Sequence, residues 1–170
     1  DRHYFLNASV GVSAAAMVNT ERDQKRRLGI SAYLVTTVQK LAGVQPAEFK
    51  VTVDGEVLHM QAADVLIANS GIVGISRFNI KPRIYLDDGE VGVFIIRAKS
   101  ALDYVGAIWT GLSGQASGAS NIHVLRATES VSVEPSARLP KQADGESLGE
   151  GGFAAYVVPK ALRVIVSPAR

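Results

Sequence analysis

The chain has 170 residues, of which 47% are hydrophobic and 20% are charged, with 18 Lys and Arg against 16 Asp and Glu. This composition is typical of a folded domain, and so small a positive excess without a basic stripe excludes a nucleic-acid-binding surface. The absence of cysteine excludes a disulfide framework, a thiolate zinc site and a cysteine nucleophile. No apolar run reaches the length of a membrane-spanning helix.

The first residue is Asp1 rather than Met, and the N-terminus has no signal-peptide pattern. A chain of this length is expected to form one domain. We therefore expect a single domain over residues 1–170, cut from a longer protein.

The first quarter of the chain predicts a strand and a helix. Residues 3–12 are partly aromatic and β-branched, as in a strand. Apolar residues over 30–41 recur with a helical period, and Gly43 and Pro46 end that helix. Four basic residues within 21–27 indicate either a solvated helix end or an edge that meets anionic lipid head groups.

The next segment predicts a hairpin. Apolar and polar residues alternate over 48–53, and the Asp54-Gly55 pair separates them from a second strand over 56–60. The short apolar run 65–68 is typical of a buried strand.

A second hairpin is predicted around Asp87-Asp88-Gly89, between strands over 82–86 and 91–97. Ser100 and Asp103 then have capping-box spacing, which predicts the start of a helix. The apolar face of that helix is expected to comprise Leu102, Val105, Trp109 and Leu112.

The last third predicts further strands, with Asp144-Gly145 between two of them and a mobile glycine-rich loop at 149–152. These strands are expected over 122–126, 131–134, 137–143, 153–158 and 162–166. Short strands at about ten-residue spacing indicate a sandwich or a barrel. We predict a mainly β fold, a two-sheet β-sandwich with two inserted α-helices.

Most catalytic patterns are absent from the sequence. The three histidines are far apart, and neither a nucleophile elbow nor a phosphate-binding loop occurs. The three Asp-Gly pairs remain, and each on its own predicts a turn. Asp87 and Asp88 are adjacent, so their repulsion calls for a cation or hydrogen-bond donors. Asp144 and Glu146 flank Gly145, and at strand spacing they can point towards one metal ion or one proton.

Several short segments form a recognisable series in their order and spacing. They are YFLN at 4–7, AYL at 32–34, FKVTVDG at 49–55, VLIAN at 65–69, IKP at 80–82, LDDG at 86–89, QADGE at 142–146 and VPKALRV at 158–164. Together they resemble the C-terminal domain of the bacterial diacylglycerol kinase-like lipid kinases. Eukaryotic diacylglycerol and sphingosine kinases belong to the same superfamily.

The resemblance implies the substrate-side domain of a two-domain, ATP-dependent lipid kinase. Such an enzyme transfers the γ-phosphoryl group to the hydroxyl of diacylglycerol or a related lipid. The N-terminal domain that binds ATP would be a partner within the same protein, and the present chain alone would be inactive. The enzyme would be cytoplasmic and peripheral to the inner face of the membrane, and a homodimer is left open. The alternative is a non-catalytic lipid-binding or regulatory β-sandwich.

The resemblance also implies residue roles. Asp144 corresponds to the catalytic base, Glu146 lies by the phosphates and metal, and Gly145 belongs to the cofactor-binding turn. Asp87 and Asp88 are expected to hold Mg²⁺. Gly92 stands roughly where family members often have a further Asp.

Overall fold

The computed structural model describes residues 2–18, 46–69, 87–112 and 121–163. The predicted helix over 30–41, the basic cluster within 21–27 and the predicted strand over 82–86 lie outside these residues. The described helices are α1 (Val12–Val18) and α2 (Ala101–Leu112). The described strands are β1 (Asn7–Gly11), β2 (Ala47–Val53), β3 (Glu56–Ala62), β4 (Asp64–Ala68), β5 (Val91–Ile96), β6 (Ile122–Ala127), β7 (Ser130–Pro135), β8 (Pro140–Ala143), β9 (Glu146–Glu150) and β10 (Phe153–Tyr156).

The strands form two antiparallel sheets. One sheet has the order β6-β5-β4-β1-β8-β9, and the other has the order β10-β7-β2-β3. The core forms where alternate side chains of both sheets meet, and it includes Phe49 and Val51 from one sheet and Ile67 and Ile95 from the other. The predicted mainly β, two-sheet sandwich with helices is therefore confirmed.

The first strand is shorter than predicted at both ends, since residues 3–6 precede it and Gly11 ends it. Gly11 has a φ of +117°, and a Cβ there would lie 2.4 Å from the carbonyl oxygen of Ala63. Only glycine allows this close approach, and α1 begins at the next residue.

Two other predictions differ from the structure. β9 covers residues 146–150, so it includes the first two residues of the loop predicted over 149–152, although the segment ESLGE has no clear alternation. On α2, Leu102 is 79% exposed, whereas Tyr104 and Ala107 are buried. The predicted apolar face of α2 was therefore wrong at Leu102. Of the strand predicted over 162–166, only residues 162 and 163 are described, and they are not in a strand.

The topology gives the sandwich two different ends. All three Asp-Gly turns lie at one end, together with the start of β1 and the end of β10, and we call this the turn end. The opposite end carries the start of β4 and the starts of both helices, and we call it the helical end. Residues with the strongest predicted chemistry therefore share the turn end.

Candidate functional site at the turn end

The Asp144-Gly145 pair forms the two-residue turn between β8 and β9. Both residues have positive φ angles, 49° and 86°, as a type I′ turn requires. The exposed carboxylate of Asp144 accepts hydrogen bonds from three consecutive backbone N–H groups, those of Phe5 at 2.6 Å, Leu6 at 2.8 Å and Asn7 at 2.9 Å. Asp144 therefore fixes the segment through which the chain enters β1.

Two amide side chains, one of them fully buried, hold the same region together. The fully buried Gln142 donates from Nε2 to Asn7 Oδ1 and to Ser9 Oγ, both at 2.9 Å. Asn69, at the end of β4, donates from Nδ2 to the carbonyl oxygen of Phe5 at 3.1 Å. The segments YFLN, VLIAN and QADGE, which are far apart in sequence, thus meet at the turn end.

The other residues of the hairpin differ in how they are engaged. The Gly145 N–H donates to Gln142 Oε1 at 2.8 Å. In the expected cofactor-binding turn, this N–H is therefore already bonded within the protein. Glu146 is exposed, and among the described residues its carboxylate has no hydrogen-bond or ion-pair partner. Because Asp144 and Gly145 are turn residues, the strand spacing that predicted a common direction for Asp144 and Glu146 does not apply.

The charge of Asp144 affects the ionisation of the partly buried Tyr4. Burial, and then the negative charge of Asp144, raise the pKa of Tyr4 to about 12. The Tyr4 hydroxyl therefore stays protonated at neutral pH.

The Asp87-Asp88-Gly89 turn precedes β5 at the same end. Both carboxylates are exposed, and Asp88 Oδ1 accepts the Glu90 N–H at 3.0 Å. Three inter-strand steps separate β5 from β8, which corresponds to about 14 Å. The structure thus places the two acidic turns on one end without bringing them into contact.

The expected Mg²⁺ site can be compared with the groups present. Within residues 2–18, 46–69, 87–112 and 121–163, no three His, Asp or Glu side chains are grouped as a metal would require. Asp88 is already used within its own turn, and Glu90 pairs with Arg126. The described residues therefore do not form a metal site by themselves.

Asp54 repeats the bonding of Asp144 in the other sheet. The Asp54-Gly55 turn has φ angles of 46° and 88°. The Asp54 carboxylate accepts the N–H groups of Thr128, Glu129 and Ser130 at 2.8–2.9 Å. These backbone bonds hold the pKa of Asp54 at about 2. No local pattern in the sequence indicates this equivalence, because the donors are more than 70 residues away.

The helical end contains a carboxylate of the opposite kind. Asp64 is fully buried, and it accepts hydrogen bonds from Ser13 Oγ on α1 at 2.9 Å and from Tyr104 Oη on α2 at 2.8 Å. Burial raises the pKa of Asp64 to about 7, against the opposing effect of these hydrogen bonds. This cluster was not predicted from the sequence, where its only signal is an Asp directly before an apolar run.

The described strands define a two-sheet, antiparallel β-sandwich domain with its acidic turns at one end. A family model described as the YegS C-terminal NAD kinase beta sandwich-like domain matches residues 7–166. The chain belongs to this family.

Relatives and solved structures agree with that assignment. A probable lipid kinase YegS-like of Pseudomonas aeruginosa is 30% identical over 166 residues, covering 94% of this chain and 52% of the relative. A protein of the same description from Shewanella frigidimarina is 23% identical, covering 99% of this chain and 54% of the relative. The chain thus spans about half the length of these curated relatives.

A crystal structure of a putative diacylglycerol kinase from Bacillus anthracis matches with a TM-score of 0.60 and 22% identity, covering 90% of this chain and 50% of that one. A second structure of such a kinase from the same organism has a TM-score of 0.62 and 21% identity, with 91% and 50% coverage. These similarities show the fold. Among the described helices, none is long and apolar enough to cross a bilayer.

Proposed function

We propose that this chain is the substrate-side domain of an ATP-dependent lipid kinase, which transfers the γ-phosphoryl group to the hydroxyl of diacylglycerol or a related lipid. The observation that carries the proposal is the turn end, where the family segments converge on an exposed acidic hairpin. The names of the relatives, lipid kinase and diacylglycerol kinase, support the reaction class.

The ATP would be bound mainly by a second domain. The sequence has no phosphate-binding loop, and the relatives are about twice as long as this chain. We expect that domain to lie against the turn end, because the exposed acidic hairpin is there. The complete protein would act at the inner face of the membrane as a peripheral enzyme, since its acceptor is a lipid.

In this proposal Asp144 accepts the proton of the lipid hydroxyl. Phosphoryl transfer depends mainly on positioning and charge neutralisation, so a carboxylate suffices when the proton leaves late. Glu146 supplies a second exposed carboxylate beside the turn, and Gly145 allows the turn itself. A Mg²⁺ ion at Asp87 and Asp88 would need ligands beyond the described residues, for which the nucleotide phosphates are candidates.

The second candidate is a non-catalytic lipid-binding or regulatory module. One observation favours it, since the Asp54 hairpin makes the same backbone bonds as the Asp144 hairpin. An Asp-Gly hairpin in this fold can therefore be purely structural.

The two candidates differ in what the complete protein does to a lipid. Incubation with γ-labelled ATP and detergent micelles containing diacylglycerol is expected to give labelled lipid. Micelles without diacylglycerol, soluble glycerol and the 170-residue chain alone serve as comparisons. Label in glycerol would show that the acceptor is a soluble alcohol rather than a lipid. The proposed kinase would be contradicted if the 170-residue chain alone labelled the lipid. It would also be contradicted if the complete protein gave no label in any sample.

A further inference from the structure

The two equivalent hairpins differ in one hydrogen bond. At Asp54, Oδ1 accepts the N–H groups of Glu129 and Ser130, while Oδ2 accepts both the N–H and the hydroxyl of Thr128, at 2.8 and 3.0 Å. An ionised carboxylate has about four acceptor positions, so this one is saturated by the protein.

The Asp144 carboxylate accepts the three corresponding backbone N–H groups, but no side-chain hydroxyl of the described residues takes the place of the Thr128 hydroxyl. Leu6 and Asn7 donate their N–H groups to Oδ1, and Phe5 donates its N–H to Oδ2. Phe5 thus occupies the place of Thr128, but its side chain has no donor. Within the described part of the chain, Oδ2 of Asp144 accepts one hydrogen bond where Oδ2 of Asp54 accepts two.

The two hairpins can be compared directly because their backbones have the same hydrogen bonds and nearly equal φ angles. In each hairpin the Asp N–H also donates to the third residue of the donor segment, Asp54 to the Ser130 carbonyl at 2.9 Å and Asp144 to the Asn7 carbonyl at 2.8 Å. The φ angles of the two Asp residues are nearly equal, 49° at Asp144 and 46° at Asp54. The Thr128 hydroxyl therefore shows where an alcohol can bind such a carboxylate.

We infer that Phe5 is a positioning residue that leaves Oδ2 of Asp144 able to accept the hydroxyl of the acceptor alcohol, in the position that the Thr128 hydroxyl takes at Asp54. This inference rests on the proposed kinase function. In the reaction, the alcohol oxygen forms a bond to the γ-phosphorus while the bond from that phosphorus to the β,γ-bridging oxygen breaks. The hydroxyl proton passes to Oδ2 of Asp144, and ADP leaves.

The test compares Phe5→Thr with Phe5→Val in the complete protein. The two variants lose the same aromatic ring and have nearly the same shape, but only threonine brings a hydroxyl that can occupy Oδ2. Phe5→Thr is expected to have kcat/KM for the lipid about 10-fold or more below that of Phe5→Val, since a hydrogen bond to a charged group must be displaced. Its KM for ATP is expected to match that of Phe5→Val.

Stability separates this mechanism from general damage. The added hydrogen bond should give Phe5→Thr a Tm equal to or higher than that of Phe5→Val, while its activity is lower. Thr128→Val, which removes the hydroxyl at the other hairpin, is expected to lower Tm and leave turnover unchanged. If the Phe5 variants do not fold, Phe5→Ser and Phe5→Ala provide the same comparison with smaller side chains.

The outcomes also separate this inference from the proposed function. If Asp144→Asn abolishes turnover but Phe5→Thr is as active as Phe5→Val, the inference is wrong and the kinase proposal stands. If Asp144→Asn retains turnover, the catalytic role of Asp144 fails and the inference fails with it. A crystal structure of Phe5→Thr in which the introduced hydroxyl points away from Oδ2 would overturn the equivalence of the two hairpins.

Discussion

The two ends of the sandwich treat carboxylates in opposite ways. At the turn end, Asp54 and Asp144 are exposed and are bonded by backbone N–H groups, so their charges remain solvated. At the helical end, Asp64 is fully buried and is bonded by hydroxyls from two helices. A buried carboxylate serves packing, because no acceptor substrate can reach it, whereas an exposed one remains accessible for chemistry. Exposure therefore separates the two turn-end carboxylates from the buried Asp64, whereas Asp54 and Asp144 differ from each other in the hydroxyl that Thr128 donates to Asp54.

The sharpest stability test of this difference is Asp64→Ala. The substitution leaves the Ser13 and Tyr104 hydroxyls without their acceptor at the sheet, so the free energy of unfolding is expected to fall by about 2–4 kcal/mol. Chemical denaturation measures the loss. Ser13→Ala and Tyr104→Phe, each removing one donor, should cost less. An unchanged midpoint in Asp64→Ala would show that the cluster does not hold the helices.

The buried and exposed carboxylates should also differ in pH dependence. The pKa of Asp64 is about 7 in the folded chain and 3.8 is its ordinary value, so the folded state binds its proton more tightly. The contribution is fully present below about pH 4 and is lost as pH rises through 7. We expect Asp64→Asn to remove this decline from the pH profile of unfolding. A profile that is parallel to that of the natural chain between about pH 4 and 7 would contradict the assignment.

Asp54→Asn should lower the free energy of unfolding by less than Asp64→Ala does. The contribution of Asp54 should also change with pH in the opposite direction, because it is lost in acid. The amide that replaces the carboxylate would present an NH₂ group towards backbone donors, and we expect a loss of about 1–2 kcal/mol at neutral pH. Because the pKa of Asp54 is lowered from 3.8 to about 2, its contribution is present above about pH 4 and is lost as pH falls towards 2. Thermal melts at about pH 7 and about pH 2.5 measure both. The variant and the natural chain should converge in acid, and a constant difference would be inconsistent with this cause.

The sequence predicted the parts of the fold that depend on residues close together in the chain. The β2–β3 hairpin combines strict alternation with a type I′ turn pair, and β4 is a continuous apolar run. The Ser100 cap was also predictable from spacing, and Ser100 Oγ accepts the Asp103 N–H at 3.1 Å. In each case the deciding interactions lie within a few residues of one another.

The sequence could not predict features that depend on distant partners. On α2, Tyr104 is buried because its hydroxyl reaches Asp64, 40 residues earlier, and this contact overrides the face suggested by Leu102. The donors to Asp144 are 137–139 residues away. The presence of an Asp-Gly turn was therefore predictable, but the segment that it holds was not. The roles of Asp144, Glu146, Gly145, Asp87 and Asp88 stay predictions.

The most direct test of the central claim is a comparison of Asp144→Asn with Asp54→Asn in the complete protein. The two substitutions make the same chemical change in hairpins with matching backbone bonds. If the turn end is a kinase site with Asp144 as its proton acceptor, Asp144→Asn should lower lipid phosphorylation at least about 100-fold, and Asp54→Asn should lower only the Tm. Near-normal turnover in Asp144→Asn, with a loss of Tm like that of Asp54→Asn, would show that both hairpins are structural.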